Sequence, residues 1–77
     1  MIEVFKTNVK SPGVAERVLS ALHARYPLYM ANFDLADCDH VLRVKSLLGD
    51  VSAGDIMHIV QEFGYTAEVM EDYVLFQ

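Results

Sequence analysis

Cysteine is almost absent from this 77-residue chain, which contains one, Cys38. A single thiol cannot form an intramolecular disulfide, so a disulfide-stapled scaffold is excluded. No apolar run reaches the roughly 18–20 residues that a transmembrane helix needs, and no secretory or transit segment is recognisable. We therefore expect a cytoplasmic protein without membrane insertion, whose thiol stays reduced.

Basic residues are also scarce. Six Lys and Arg residues are scattered among eleven Asp and Glu residues, and the formal net charge is −5. Nucleic acids and anionic membranes bind clustered basic side chains, so neither is an expected partner. Apolar residues, in contrast, make up 53% of the chain. Because so small a domain buries only part of this apolar surface, we expect a protein partner or a homodimer.

Catalytic patterns are lacking as well. No Ser, His and Asp arrangement, glycine-rich phosphate loop or pair of inward carboxylates stands out in the sequence. A domain of this size also has little room for a pocket that excludes water. We therefore expect neither enzymatic activity nor a resident cofactor, with a Zn or Cu ion as the one exception considered below.

Hydrophobic periodicity divides the chain into six elements. Alternating apolar residues predict strands at 2–9, 28–35, 40–46 and about 66–70. Three- and four-residue spacing predicts a helix that begins at Ser11-Pro12 and ends before Pro27. A second helix is predicted to begin at Ser52, whose hydroxyl would cap it, and to end at Gly64. The order is βαββαβ.

This order predicts a single α+β domain, 1–77, with a ferredoxin-like fold: a four-stranded antiparallel sheet with two helices on one face. In the usual strand order 4-1-3-2, three connections lie at the same end of the sheet, namely 8–12, 36–39 and 64–65. A binding site is expected at this end. An apolar C-terminal tail follows the last strand at 71–77.

Three stretches resemble the heavy-metal-associated (HMA) domain of copper chaperones and metal-transporting ATPases. They are Val18-x-x-Ala21-Leu22 in the first helix, the hairpin NFDLADCDHVLRV, and DIMHIVQEFGYTAEV at 55–69. The similarity spans roughly residues 2–70. It implies the βαββαβ fold and a metal-binding loop between the first strand and the first helix.

The metal-binding loop departs from the family pattern. The family's Met-x-Cys-x-x-Cys corresponds by this resemblance to Val9, Ser11 and Val14. Cu(I) prefers thiolate ligands, whereas a serine hydroxyl is a hard, weak ligand and valine offers none. Copper binding through the CxxC motif is therefore predicted to be lost. The resemblance also places Tyr65 beside this loop, where its ring is expected to pack.

The hairpin turn DCDH contains a second set of metal-binding side chains. Asp37, Cys38, Asp39 and His40 supply a thiol, an imidazole and two carboxylates, which are donor types found in Zn(II) sites. Structural zinc sites usually draw four ligands from two separated segments, and the second segment is missing here. Ordinary turn chemistry explains the same residues without a metal. Both interpretations stay open at this point.

Three functions are compatible with these patterns. We favour a protein-interaction or regulatory module that keeps the HMA scaffold after losing its metal ligands. Its contact surface would combine Ile2 and Val4 on the second face of the first strand, Met30 and Val41 on the hairpin, and the tail at 71–77.

The two alternatives use other features of the chain. One is a metal-binding or metal-trafficking protein that uses Cys38 and His40 together with Asp37 or Asp39. The other is a small-molecule sensor, by analogy with other ferredoxin-like regulatory domains, and it depends on the fold alone.

Overall fold

The computed structural model describes residues 1–70 and has its elements in the order βαββαβ. They are β1 (Ile2–Thr7), α1 (Pro12–Arg25), β2 (Tyr29–Asp34), β3 (Val41–Ser46), α2 (Ala53–Glu62) and β4 (Ala67–Val69). The strands form one antiparallel sheet in the order β2-β3-β1-β4. This confirms the predicted ferredoxin-like α+β fold and its strand order. The apolar tail noted at 71–77 lies outside the described residues.

The helix termini follow local chemistry, with one exception. The Ser11 hydroxyl accepts a hydrogen bond from the Val14 N–H at 3.4 Å, so it caps α1 as predicted. Gly64 has φ +86° just after α2, a conformation in which a Cβ atom is strained. The predicted cap of α2 is wrong, because the Ser52 hydroxyl makes no capping hydrogen bond. Instead the Ser52 backbone N–H donates to the Tyr29 hydroxyl at 3.0 Å, and this contact holds the start of α2 against β2.

The core lies between the helices and one face of the sheet. It contains four strand residues, Phe5, Leu42, Val44 and Ala67, and the buried stripes of both helices. The helix residues are Val14, Ala15, Val18 and Leu22 on α1 and Ile56, Ile59 and Val60 on α2. Successive strand side chains alternate between faces, so the residues next to Phe5 and Leu42 lie on the other face, which we call the open face.

The open face is only partly exposed. Ile2 and Met30 are exposed there, as expected, but Val4 is 6% exposed and Val41 is fully buried. Val4 and Val41 therefore do not belong to a contact surface, and this part of the expectation is wrong. Val41 lies on a central strand opposite Asp34, whose carboxylate is 3.3 Å from the Arg43 guanidinium. Because β3 has a neighbouring strand on each side, adjacent side chains shield Val41 from both directions across the sheet.

The two edge strands make different additional hydrogen bonds. On β2, the Ala31 N–H points away from β3 and donates to His23 Nε2 on α1 at 3.2 Å. On the other edge, the Met70 N–H follows β4 and donates to the Val4 carbonyl at 2.9 Å. Among the described residues, no helix is long and apolar enough to cross a membrane.

Candidate functional site

The predicted site end of the sheet, which we call the loop end, is assembled as expected. The Thr7 N–H donates to the Asp39 carbonyl at 3.1 Å, which joins the end of β1 to the hairpin turn. The Thr66 N–H donates to Asn8 Oδ1 at 2.8 Å, and the Asn8 N–H donates to the Thr66 carbonyl at 3.4 Å. The three connections therefore meet at one end of the sheet. The end of β1 lies between the hairpin turn on one side and the connection to β4 on the other.

A buried hydroxyl holds this end together. Thr7 Oγ1 donates to the His40 carbonyl at 2.6 Å and accepts a hydrogen bond from the Val9 N–H at 3.2 Å. Thr7 is 5% exposed and Val9 is fully buried. Because buried backbone groups need partners, this hydroxyl satisfies one donor and one acceptor that two different loops leave unpaired.

The positions at which the expected resemblance to HMA domains would place metal ligands have structural roles in this chain. Ser11 caps α1, and Val14 is a buried member of the core. Val9 is also in the core, and Tyr65 packs against this core. The loop therefore keeps its shape through a cap and an apolar anchor, neither of which is a ligand for a soft metal ion.

The hairpin turn brings three of its four donor residues together. One ligand atom each from Asp37, Cys38 and Asp39 can be chosen so that all three lie within 4.8 Å of one another. Cys38 is exposed and the two aspartates are half-buried. The turn is also closed by its own hydrogen bonds, because Asp37 Oδ1 accepts from the Asp39 N–H at 2.9 Å. The Lys6 ammonium lies 3.9 Å from Asp39 and supplies a counter-charge.

His40 does not join that group. Its backbone has φ +46°, the left-handed region that non-glycine residues rarely occupy, and its N–H donates to the Asp37 carbonyl at 3.0 Å. Its Nδ1 atom is buried and has no hydrogen-bond partner among residues 1–70. The turn thus gathers one thiol and two carboxylates, a set with three protein ligands from one segment and open coordination positions.

The opposite end of the sheet carries a feature of another kind. Among residues 1–70, the exposed large apolar side chains are Met1, Ile2, Leu28, Met30, Leu47 and Leu48, each between 42 and 74% exposed. All six lie where β1 and β2 begin and β3 ends. The Ser46 N–H donates to the Met1 carbonyl at 2.9 Å, and the Leu47 N–H donates to the Leu28 carbonyl at 3.0 Å. We call this set the apolar end surface.

Two shallow grooves flank the apolar end surface. One, about 300 Å³ in volume, runs past Leu28 and Leu48 and is bordered by Tyr26 and Tyr29, whose rings stack with centroids 5.2 Å apart. Partial burial raises the pKa of the Tyr26 hydroxyl, and Asp55 adds to this effect. The other groove, about 220 Å³, lies on the open face between Ile2 and Met30. Apolar walls with a few polar groups at the rim are typical of protein contact sites.

Charges near this end are of both signs. Lys45, which lies opposite both Ile2 and Met30 in the sheet, and Asp50 make no ion pair among the described residues. Arg25 is engaged by Glu62 through two contacts of 2.7 and 3.3 Å. The hydrogen bond from Arg25 lowers the pKa of the Glu62 carboxyl, which His58 also approaches, at 3.2 Å.

Of the four strand residues expected in the contact surface, two are exposed, and other exposed apolar residues were not expected. Ile2 and Met30 were expected, whereas Leu28, Leu47 and Leu48 were not. The available signal was the pair Leu47-Leu48, which extends an apolar strand past its end and directly before Gly49. Two leucines at a strand exit cannot both face the core, because adjacent side chains point in opposite directions.

Comparisons of this chain with family models, with curated proteins and with solved structures find no match.

Proposed function

We propose that this protein is a non-catalytic protein-interaction or regulatory module that uses an HMA-like scaffold whose loop no longer binds Cu(I) through a CxxC motif. It would act in the cytoplasm, where an exposed thiol such as Cys38 stays reduced. The observation that carries the proposal is the apolar end surface. Its six members are the exposed large apolar side chains of residues 1–70, and they lie at one end of the sheet.

The size of this surface supports an interaction. Full burial of one large aliphatic side chain contributes about 1.5–3 kcal/mol. Since each of the six side chains is still about half exposed, covering them all contributes about 5–10 kcal/mol. This is comparable to the cost of association, about 4–15 kcal/mol, so a partner that also forms polar contacts at the rim would bind stably.

The charges at the rim add a means of selection. Lys45 and Asp50 are exposed and have no ion pair among the described residues, so a partner can match each of them. Opposite charges at a rim contribute more to specificity and association rate than to affinity.

Site-specific photo-cross-linking in cells tests this proposal. A photoreactive phenylalanine analogue replaces Leu48 in one variant and Glu16, which is exposed on α1, in the matched control. We expect discrete protein adducts from position 48, weakened when Leu28→Ser is added, and none from position 16. Adducts from position 16 alone, or none from either position, would contradict the proposal.

Metal binding at the hairpin turn is the second candidate. The convergence of Asp37, Cys38 and Asp39 ligand atoms supports it, and a metal trafficked by the protein would need such an open, exposed set. Native mass spectrometry of the reduced protein with Zn(II) or Cu(I) tests it. One metal ion per chain or per dimer, lost in Cys38→Ser and weakened in Asp37→Asn, would establish this function, whereas uptake that Cys38→Ser leaves unchanged would refute it.

A further inference from the structure

We propose that a second copy of this chain covers the apolar end surface, in a two-fold symmetric dimer that pairs Lys45 of each copy with Asp50 of the other. This inference rests on the proposed function, because it names the partner of the same surface. It goes beyond that function by stating how the two surfaces face each other.

The two charges lie on opposite sides of the apolar end surface. Lys45 is paired in the sheet with Ile2 and Met30, and all three line the groove on the open face. Tyr29, the neighbour of Met30, packs instead against the core, and its hydroxyl donates to the Asp50 carbonyl at 3.4 Å. Asp50 therefore lies on the helix side of the sheet, where it lines the other groove.

Two-fold symmetry makes this arrangement complementary to itself. When the axis runs between two residues of such a surface, each of them meets the other residue of the second copy, and the contact occurs twice. Both Lys45 and Asp50 are exposed and make no ion pair among the described residues, so both are available for this contact. Opposite charges at the rim of an apolar patch fix the orientation of the partner.

The apolar area also favours a second copy as the occupant. Full burial of one large aliphatic side chain removes roughly 60–120 Å² of apolar surface from water. The six side chains are between 42 and 74% exposed, so they supply about 200–400 Å². A second copy brings an equal apolar area, which gives about 400–800 Å² in total.

This area predicts the strength of the dimer. Apolar atoms make up about 57% of a typical interface, so the whole contact would bury about 700–1,400 Å². That range reaches the lower limit of about 1,200 Å² for specific interfaces. We therefore expect a reversible dimer with a Kd in the micromolar range.

Sedimentation equilibrium of the full chain, with charge-reversed variants, tests the proposal. The reduced parent should dimerise as its concentration is raised through the micromolar range. Lys45→Glu places two pairs of carboxylates in the dimer and Asp50→Lys places two pairs of ammonium groups, so each variant should raise Kd about tenfold or more. Lys10→Glu is the matched control, because Lys10 is exposed at the loop end and the change in net charge equals that of Lys45→Glu. It should leave Kd almost unchanged.

A mixture of the two variants tests the pairing itself. In the mixed dimer the new carboxylate at position 45 faces the new ammonium group at position 50, and the unchanged Asp50 and Lys45 face each other. The equimolar mixture should therefore restore the Kd of the parent, and so should the double variant Lys45→Glu with Asp50→Lys on its own.

Three results would overturn the proposal. The first is a parent that stays monomeric at all concentrations. The second is a dimer whose Kd is raised no more by Lys45→Glu or Asp50→Lys than by Lys10→Glu. The third is a mixture that does not dimerise although each variant keeps the circular dichroism spectrum of the parent.

The result is also distinguishable from failure of the proposed function. Cross-linking from position 48 yields an adduct of twice the chain mass when the partner is a second copy. Adducts with other proteins alone, together with a parent that stays monomeric, would refute the dimer and leave the proposed function intact. A dimer that responds to the charge variants, without adducts from position 48 in cells, would support the dimer and contradict the proposed function.

Discussion

Replacement of Thr7 with valine removes one hydroxyl group from the loop end and leaves the shape of the side chain almost unchanged. The hydroxyl donates to the His40 carbonyl and accepts from the Val9 N–H, so Thr7→Val breaks both hydrogen bonds. The Val9 amide lies in a fully buried residue, and an unsatisfied buried donor costs about 1–3 kcal/mol.

The net effect follows from these contributions. Loss of the second bond, to the His40 carbonyl, adds about 1 kcal/mol, and the extra buried methyl group offsets about 0.8 kcal/mol. We therefore expect Thr7→Val to lower the free energy of unfolding by about 1–3 kcal/mol. For a domain of this size, each kcal/mol lowers Tm by about 4–8 °C, so Tm should fall by about 4–24 °C.

Thermal and urea unfolding, followed by circular dichroism, measure this change. Thr7→Ser is the matched control, because it keeps the hydroxyl and loses one methyl group, at a cost of about 0.8 kcal/mol. Hydrogen exchange adds a local readout, since the Val9 amide should lose protection in Thr7→Val and keep it in Thr7→Ser. If Thr7→Val is as stable as Thr7→Ser, the hydroxyl does not hold the loop end and the reasoning is refuted.

Two further substitutions test the start of α1 and the end of α2. Ser11→Ala removes the cap of α1, whose hydrogen bond with the Val14 N–H is long at 3.4 Å. It should lower the free energy of unfolding, measured in urea, by about 0.5–1 kcal/mol, with Ser20→Ala as the control. An unchanged free energy of unfolding would show that the hydroxyl is not a cap. Glu62→Gln removes the carboxylate that pairs with Arg25. Because this pairing lowers the pKa of Glu62, its contribution to stability is complete above the ordinary carboxyl value and is lost as the pH falls through the lowered one. Urea midpoints of Glu62→Gln should therefore depend less on pH on the acid side than those of the parent or of Glu16→Gln; unchanged acid dependence would contradict the assignment.

Most of the fold could be predicted because its signals are local. Alternation identifies the strands, and Pro12 and Gly64 mark a helix start and a helix end through their own backbone preferences. Strand boundaries were less accurate. The first strand was predicted to continue to residue 9 but ends at Thr7, because the Thr7 side chain and the Val9 backbone turn toward the hairpin.

The details that escaped prediction depend on distant residues. His40 adopts a positive φ, which is uncommon for a non-glycine residue, and the contact that accompanies it comes from Thr7, 33 positions earlier. Ser52 looks like a helix cap in the sequence, yet its backbone N–H is bound by the Tyr29 hydroxyl, 23 positions away. Val41 reads as an exposed strand position but is shielded on the central strand β3.

The candidate site was also predictable only in part. The sequence alone indicates that the hairpin turn gathers donor atoms, and the structure brings Asp37, Cys38 and Asp39 together. The sequence does not indicate that His40 stays outside this group, since the position of His40 depends on the backbone conformation of the turn. The apolar end surface was predicted only through Ile2 and Met30, because exposure of a leucine after a strand depends on what packs over it.

The hydrogen bond between His23 and Ala31 has a consequence for assembly. An unoccupied N–H on an edge strand is a template to which another chain can add a strand, and repetition of that step produces fibres. Here an imidazole from α1 already occupies that donor on β2, and the opposite edge strand, β4, has only three residues. The hydrogen bond removes one free donor from the β2 edge, and the short β4 offers few backbone groups at the other edge of the described sheet. A partner that binds the proposed apolar end surface would accordingly contact side chains rather than extend the backbone ladder.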